Sequence, residues 1–129
     1  MSLSQPDRVD ILIVDDDEGN RESLAEILGG ACYDCATAAD GSQALAFLYA
    51  RRDEGNLPQL VLLDLAMPAS TWAFRAEQAK DPVLDRVPVV IMSGVYQPEA
   101  AARNLGAMGH IPKPIDTDRL FAIVRQYCG

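Results

Sequence analysis

The sequence predicts an α/β domain: a doubly wound, five-stranded parallel sheet with helices on both faces. Three observations lead there. The strand-like segments are nearly continuous apolar runs, as strands covered on both faces require. Segments with helical spacing fall between them, as the crossovers of a parallel sheet demand. Four of the five strands run into a polar or charged residue, and in such sheets ligands bind beyond the carboxyl ends of the strands.

The first strand is Val9-Asp10-Ile11-Leu12-Ile13-Val14, and it runs directly into Asp15-Asp16-Asp17. A helix follows, with Leu24, Ile27 and Leu28 on its inner face and Gly29-Gly30 as the stop. Cys35-Ala36-Thr37-Ala38 is a weaker second strand. Asp40 stands three residues before Gln43, a start like a capping box, for a helix turning Ala44, Phe47 and Leu48 inward. Leu60-Val61-Leu62-Leu63 is the third strand and ends at Asp64. A helix with a poor apolar face is expected from Trp72 to Lys80. Val87-Pro88-Val89-Val90-Ile91-Met92 is the fourth strand, ending at Ser93-Gly94. Pro98 suits the first turn of a helix running to Leu105 and stopped by Gly106. Met108-Gly109-His110-Ile111 is a short fifth strand, with Lys113-Pro114 beyond it. Asp116 or Thr117 caps a last helix whose core side is Leu120, Phe121, Ile123, Val124 and Tyr127.

At 129 residues the chain reads as one domain over 9–129, with residues 1–8 a disordered or loosely ordered lead-in. Hydrophobic residues at 49% and charged residues at 23% describe an ordinary globular mixture, away from disordered compositions. No apolar run is long enough for a bilayer, and no basic-then-apolar leader opens the sequence, so the expected setting is cytoplasmic, without membrane contact. A formal charge of −8 argues against nucleic-acid binding by this domain and for a basic partner surface or a divalent cation. Cys32-x-x-Cys35 has the spacing of a zinc or redox pair. No second pair accompanies it and His110 is the lone histidine, so small buried thiols are expected instead.

The polar set at the strand ends comprises Asp15, Asp16, Asp64, Ser93 and Lys113. Taken alone, Asp15 to Glu18 would be a solvated helix start, and a lone Lys-Pro pair marks a turn. The conjunction carries the weight. Ile11-Leu12-Ile13-Val14-Asp15-Asp16-Asp17, Val61-Leu62-Leu63-Asp64-Leu65-Ala66-Met67-Pro68, Val89-Val90-Ile91-Met92-Ser93-Gly94 and Lys113-Pro114 resemble the four signature blocks of response-regulator receiver domains. The resemblance covers about Val9 to Tyr127. It implies strand order 2-1-3-4-5, a phosphoacceptor at Asp64, and a magnesium (or manganese) ion held by Asp16, Asp64 and the Ala66 backbone carbonyl, with Asp15 acting through water. It further implies that Ser93 and Lys113 contact the phosphoryl group. Partners would be a histidine kinase or phosphotransfer protein, with an output domain or a homodimer possible. Such a domain is not an enzyme in the usual sense, since it catalyses only its own phosphorylation and dephosphorylation.

The chemistry fits these roles. A carboxylate is a weak nucleophile, so attack on phosphorus needs charge neutralisation and in-line placement more than a base. Magnesium typically takes one or two carboxylates, waters and phosphoryl oxygens in near-octahedral geometry, and lysine supplies a compact point charge.

The chain also departs from the family pattern. Ala69-Ser70-Thr71-Trp72-Ala73 lacks the usual aspartate-glycine pair, and Trp72 stands near the glycine position. Its ring is read either as a surface-anchored aromatic at a helix start or as a ring at the mouth of the site. Lys113 stands only 20 positions after Ser93, short for the family. His110 occupies a position where many receivers carry a switching aromatic, so it and Ser93 are the switch candidates. Ala66 and Val95 stand at the two positions that tune dephosphorylation, and neither side chain can orient water, which predicts slow self-dephosphorylation. Two alternatives stay open: a degenerate receiver acting as an interaction module without phosphorylation, and a haloacid-dehalogenase-like phosphatase, whose two-aspartate spacing Asp15-x-Asp17 matches.

Overall fold

The computed structural model describes residues 8–66, 68–94, 103 and 105–129. Within them the chain runs β1 (Ile11–Val14), α1 (Glu18–Gly30), β2 (Cys35–Ala38), α2 (Gly41–Glu54), β3 (Leu60–Asp64), α3 (Pro68–Lys80), a 3-10 turn (Leu84–Arg86), β4 (Val89–Ser93), β5 (Gly109–Pro112) and α4 (Thr117–Cys128). The five strands form one sheet of order β2-β1-β3-β4-β5, every pair parallel. The helix expected over 98–105 lies mostly outside the described residues, as do residues 1–7 of the lead-in; Arg103 and Leu105 are helical.

The continuous apolar runs divide residue by residue between two cores, because successive strand side chains point to opposite faces. Leu12, Val14, Val61, Leu63, Val89 and Ile91 pack with Ala44 and Leu48 of α2 and Phe74 of α3. Ile11, Ile13, Leu60, Leu62, Val90 and Met92 pack with Leu24 and Leu28 of α1 and Leu120 and Val124 of α4. Helices thus cover both faces.

Helix starts follow their caps. Asp17 accepts from the Asn20 N–H at 3.1 Å, Asp40 from the Gln43 N–H at 2.8 Å and Asp116 from the Asp118 N–H at 2.9 Å. The Gln43 side chain closes the second start by accepting from the Ala39 N–H at 2.9 Å.

Several expectations are corrected. Helix α1 continues through Gly29 and Gly30, and the reversal falls at Cys32, whose φ is 71°. Cys32 is therefore exposed rather than a buried thiol, while Cys35 and Cys128 are half-buried, with burial raising each thiol to about 11. Ile27 is 38% exposed, on the flank of α1 rather than its inner face. Helix α3 starts at Pro68, one turn before Trp72, since proline is tolerated where the N–H needs no partner.

Beneath α3, the buried Gln78 donates from Nε2 to the carbonyls of Leu84 at 2.8 Å and Val87 at 3.2 Å, and accepts from Arg75 at 2.8 Å. Gln78→Leu keeps the volume but strands these carbonyls. It is expected to cost about 2–3 kcal/mol, read as a lower urea midpoint with an unchanged denaturant slope.

Candidate functional site

The register of the central strands builds the site. Val14 stands opposite Leu63 in β3, so Asp15 and Asp64 leave neighbouring strands at the same level. On the other side Asp64 pairs with Met92, and Ser93 with Pro112 of β5, which brings Ser93 and Lys113 to the same edge. The five polar residues expected at the strand ends are thus gathered by adjacent strands.

Asp15, Asp16 and Asp64 each offer a carboxylate oxygen lying within 4.8 Å of the others. Asp15 and Asp64 are each 1% exposed and Ser93 is 2% exposed, whereas Asp16 faces solvent. Asp64 Oδ1 accepts from the Lys113 ammonium at 2.9 Å and from the Ala66 N–H at 2.9 Å. Asp15 Oδ1 accepts from the Asp17 N–H at 2.9 Å, and its backbone carbonyl accepts from the Arg21 guanidinium at 2.8 Å. Lys113 is anchored through its own N–H, which donates to the Ser93 carbonyl at 2.8 Å.

Among the described residues, one cation in contact with three gathered carboxylates leaves an excess of negative charge in a largely buried place. Burial pushes the Asp15 carboxyl up to about 6, and the Asp64 carboxylate pushes the same way, against the Asp17 N–H bond and Lys113. The donor set is all oxygen with excess anionic charge, which suits a small hard divalent cation and not a soft one.

Asp17 lies outside the cluster and caps α1, so the spacing Asp15-x-Asp17 does not form a two-aspartate catalytic pair. Trp72 is 43% exposed and shares a groove with Arg75, Ala76, Ala79 and Leu105. That is the surface-anchored placement. His110 lies midway along β5, opposite Ile91, and lines a cavity of about 230 Å³ with Arg119, Gln126 and Tyr127. Val95 lies outside the described residues. Sequence reasoning missed Arg21, six residues beyond Asp15, and the buried Thr71, whose hydroxyl donates to the Asp64 carbonyl at 2.7 Å. Contacts to backbone carbonyls leave no motif to read. A mainly apolar cavity of about 280 Å³ beside Asp15 and Lys113 is lined by Asn20, Leu24, Ile27 and Ile115.

A family model described as response regulator receiver domain matches residues 11–125. The chain is 38% identical over 118 residues to response regulator PleD of Caulobacter vibrioides, covering 89% of this chain and 25% of that protein. It is 35% identical over 120 residues to sporulation initiation phosphotransferase F of Bacillus subtilis, covering 91% of both. Among solved structures, the receiver domain of NtrX from Brucella abortus superposes with a TM-score of 0.78 at 32% identity, over 92% of this chain and 98% of that one. The chain therefore spans about a quarter of PleD and nearly all of the sporulation phosphotransferase.

In a chelator, the raised Asp15 carboxyl makes a directional prediction. The folded state holds a proton that the unfolded chain releases at lower pH, so this group's contribution to stability declines as pH rises from about 4 to about 6. Asp15→Asn is expected to gain stability over wild type across that window and then to keep a constant advantage. Thermal or urea unfolding at stepped pH reads the difference; a gap independent of pH would contradict it.

Proposed function

The chain belongs to the response regulator receiver domain family, and from that premise we propose that Asp64 accepts a phosphoryl group beside a magnesium or manganese ion. The supporting observation is the meeting of three carboxylates within 4.8 Å, with the Lys113 ammonium 2.9 Å from Asp64. Asp16, Asp64 and the Ala66 carbonyl would hold the cation directly and Asp15 through water. When bound, it neutralises charge on the phosphoryl oxygens and on the acidic cluster.

The chain's own residues supply the rest. The Ala66 N–H and Lys113 hold Oδ1 of Asp64, which presents Oδ2 as the attacking atom. The Oδ2–P bond forms as the donor's P–N or P–O bond breaks, and the leaving imidazole or carboxylate keeps the electron pair. Lys113 then meets one phosphoryl oxygen, and the Ser93 hydroxyl donates to another. The loss of the Lys113–Asp64 ion pair is the local event that would switch partner or output contacts. Ser93 and His110 are the residues proposed to relay it. The reaction is the domain's own modification, driven by a histidine kinase, a phosphotransfer protein or a small phosphodonor in the cytoplasm. No described helix is long and apolar enough to cross a membrane.

Intact mass after incubation with acetyl phosphate and magnesium is expected to show one added phosphoryl group, absent in Asp64→Asn. Labelling that survives in Asp64→Asn would overturn the assignment. Because the Ala66 side chain cannot orient an attacking water, the label should persist for minutes rather than seconds. Magnesium is expected to raise the melting temperature by several degrees, most of it lost in Asp16→Asn, because a ligand bound only by the folded form stabilises it by mass action. An equal rise in both proteins would place the cation elsewhere.

A further inference from the structure

The peptide unit that follows Asp64 is held at both ends. Its N–H, on Leu65, donates to the Met92 carbonyl of β4 at 2.9 Å. Its C=O, on Asp64 itself, accepts from the Thr71 hydroxyl at 2.7 Å. Thr71 is wholly buried and lies seven residues ahead, so this is not the local bond a helical threonine makes to its own preceding turn. The first turn of α3 is itself clamped. Ser70 Oγ accepts from the Gly41 N–H at 2.7 Å, and a Cβ on Gly41 would stand 2.7 Å from the Ser70 carbonyl, so only glycine admits this approach. Helix α2 thus fixes α3, and α3 fixes the backbone at Asp64.

We propose that Thr71 is a positioning residue for phosphoryl transfer, holding the Asp64–Leu65 peptide so that the Asp64 carboxylate is presented in line. It deepens the phosphoacceptor reading and rests on it. The sequence between β3 and α3 includes no glycine, and the Thr71 hydroxyl adds a side-chain tether to the backbone tether at Leu65. Loss of the hydroxyl would leave this peptide held at its Leu65 N–H end alone, and would loosen the backbone torsions that set where the Asp64 carboxylate points. Transfer is sensitive to such errors, since displacements of about 1 Å can cost up to 100-fold in rate.

The test compares wild type with Thr71→Val, which keeps the shape and removes the hydroxyl, and Thr71→Ser, which keeps the hydroxyl and removes the methyl. Thr71→Ala serves the same comparison should the valine variant fold poorly. Phosphorylation by acetyl phosphate is timed by intact mass in saturating magnesium, well below every variant's melting transition. The magnesium midpoint is taken from melting curves. Thr71→Val is expected to slow labelling about tenfold or more with its magnesium midpoint within about twofold of wild type, while Thr71→Ser stays within about twofold in rate. A valine variant that labels at the wild-type rate, with only its melting temperature lowered, reduces Thr71 to a structural role and overturns the proposal. Equal slowing in the serine variant assigns the effect to the methyl group and overturns it as well. Wild type that takes no label at all removes the phosphoacceptor reading first, and this inference with it.

Discussion

The register between β1 and β3 is the constraint on which the molecule depends. With Val14 opposite Leu63, the residues that leave the two strands are Asp15 and Asp64, and their carboxylates meet. A slip of one residue would turn Leu12 and Val14 toward the core that holds Ile11 and Ile13 and would separate the acids. The apolar faces that exclude this slip lie remote from any chemistry. Burial on both sides of the sheet therefore specifies the placement of charges that folding alone would not favour.

Those charges conflict. Asp15 and Asp64 are buried, Asp16 adjoins them, and among the described residues Lys113 is the cation paired with Asp64. The strain shows in the raised Asp15 carboxyl. The cation and the phosphoryl group proposed for this site would each relieve that conflict, the first by neutralising the acids and the second by drawing Lys113 away from Asp64.

Much of this was legible in the sequence. The strands were readable because parallel strands covered on both faces leave unbroken apolar runs. The polar residues that end β1, β3 and β4, and Lys113 just past β5, stood out against those runs. The caps Asp17, Asp40 and Asp116 were short polar residues ahead of helical periods. Other features depend on tertiary contact and carry no such signature. Pro68-Ala69-Ser70-Thr71 resembles a loop, and becomes helix because Ser70 is held by Gly41 and Thr71 by the Asp64 carbonyl. Ile27 has core chemistry and core spacing, yet borders an open cavity. Cys32 occupies a left-handed position that its side chain does not advertise.

The central question is whether the three acids at the ends of β1 and β3 hold one divalent cation. Anomalous diffraction from crystals equilibrated with manganese tests this directly. A single strong peak in contact with the carboxylates of Asp16 and Asp64 is the predicted result. A peak bound elsewhere, with Lys113 still paired to Asp64 and the acidic cluster empty, would contradict it.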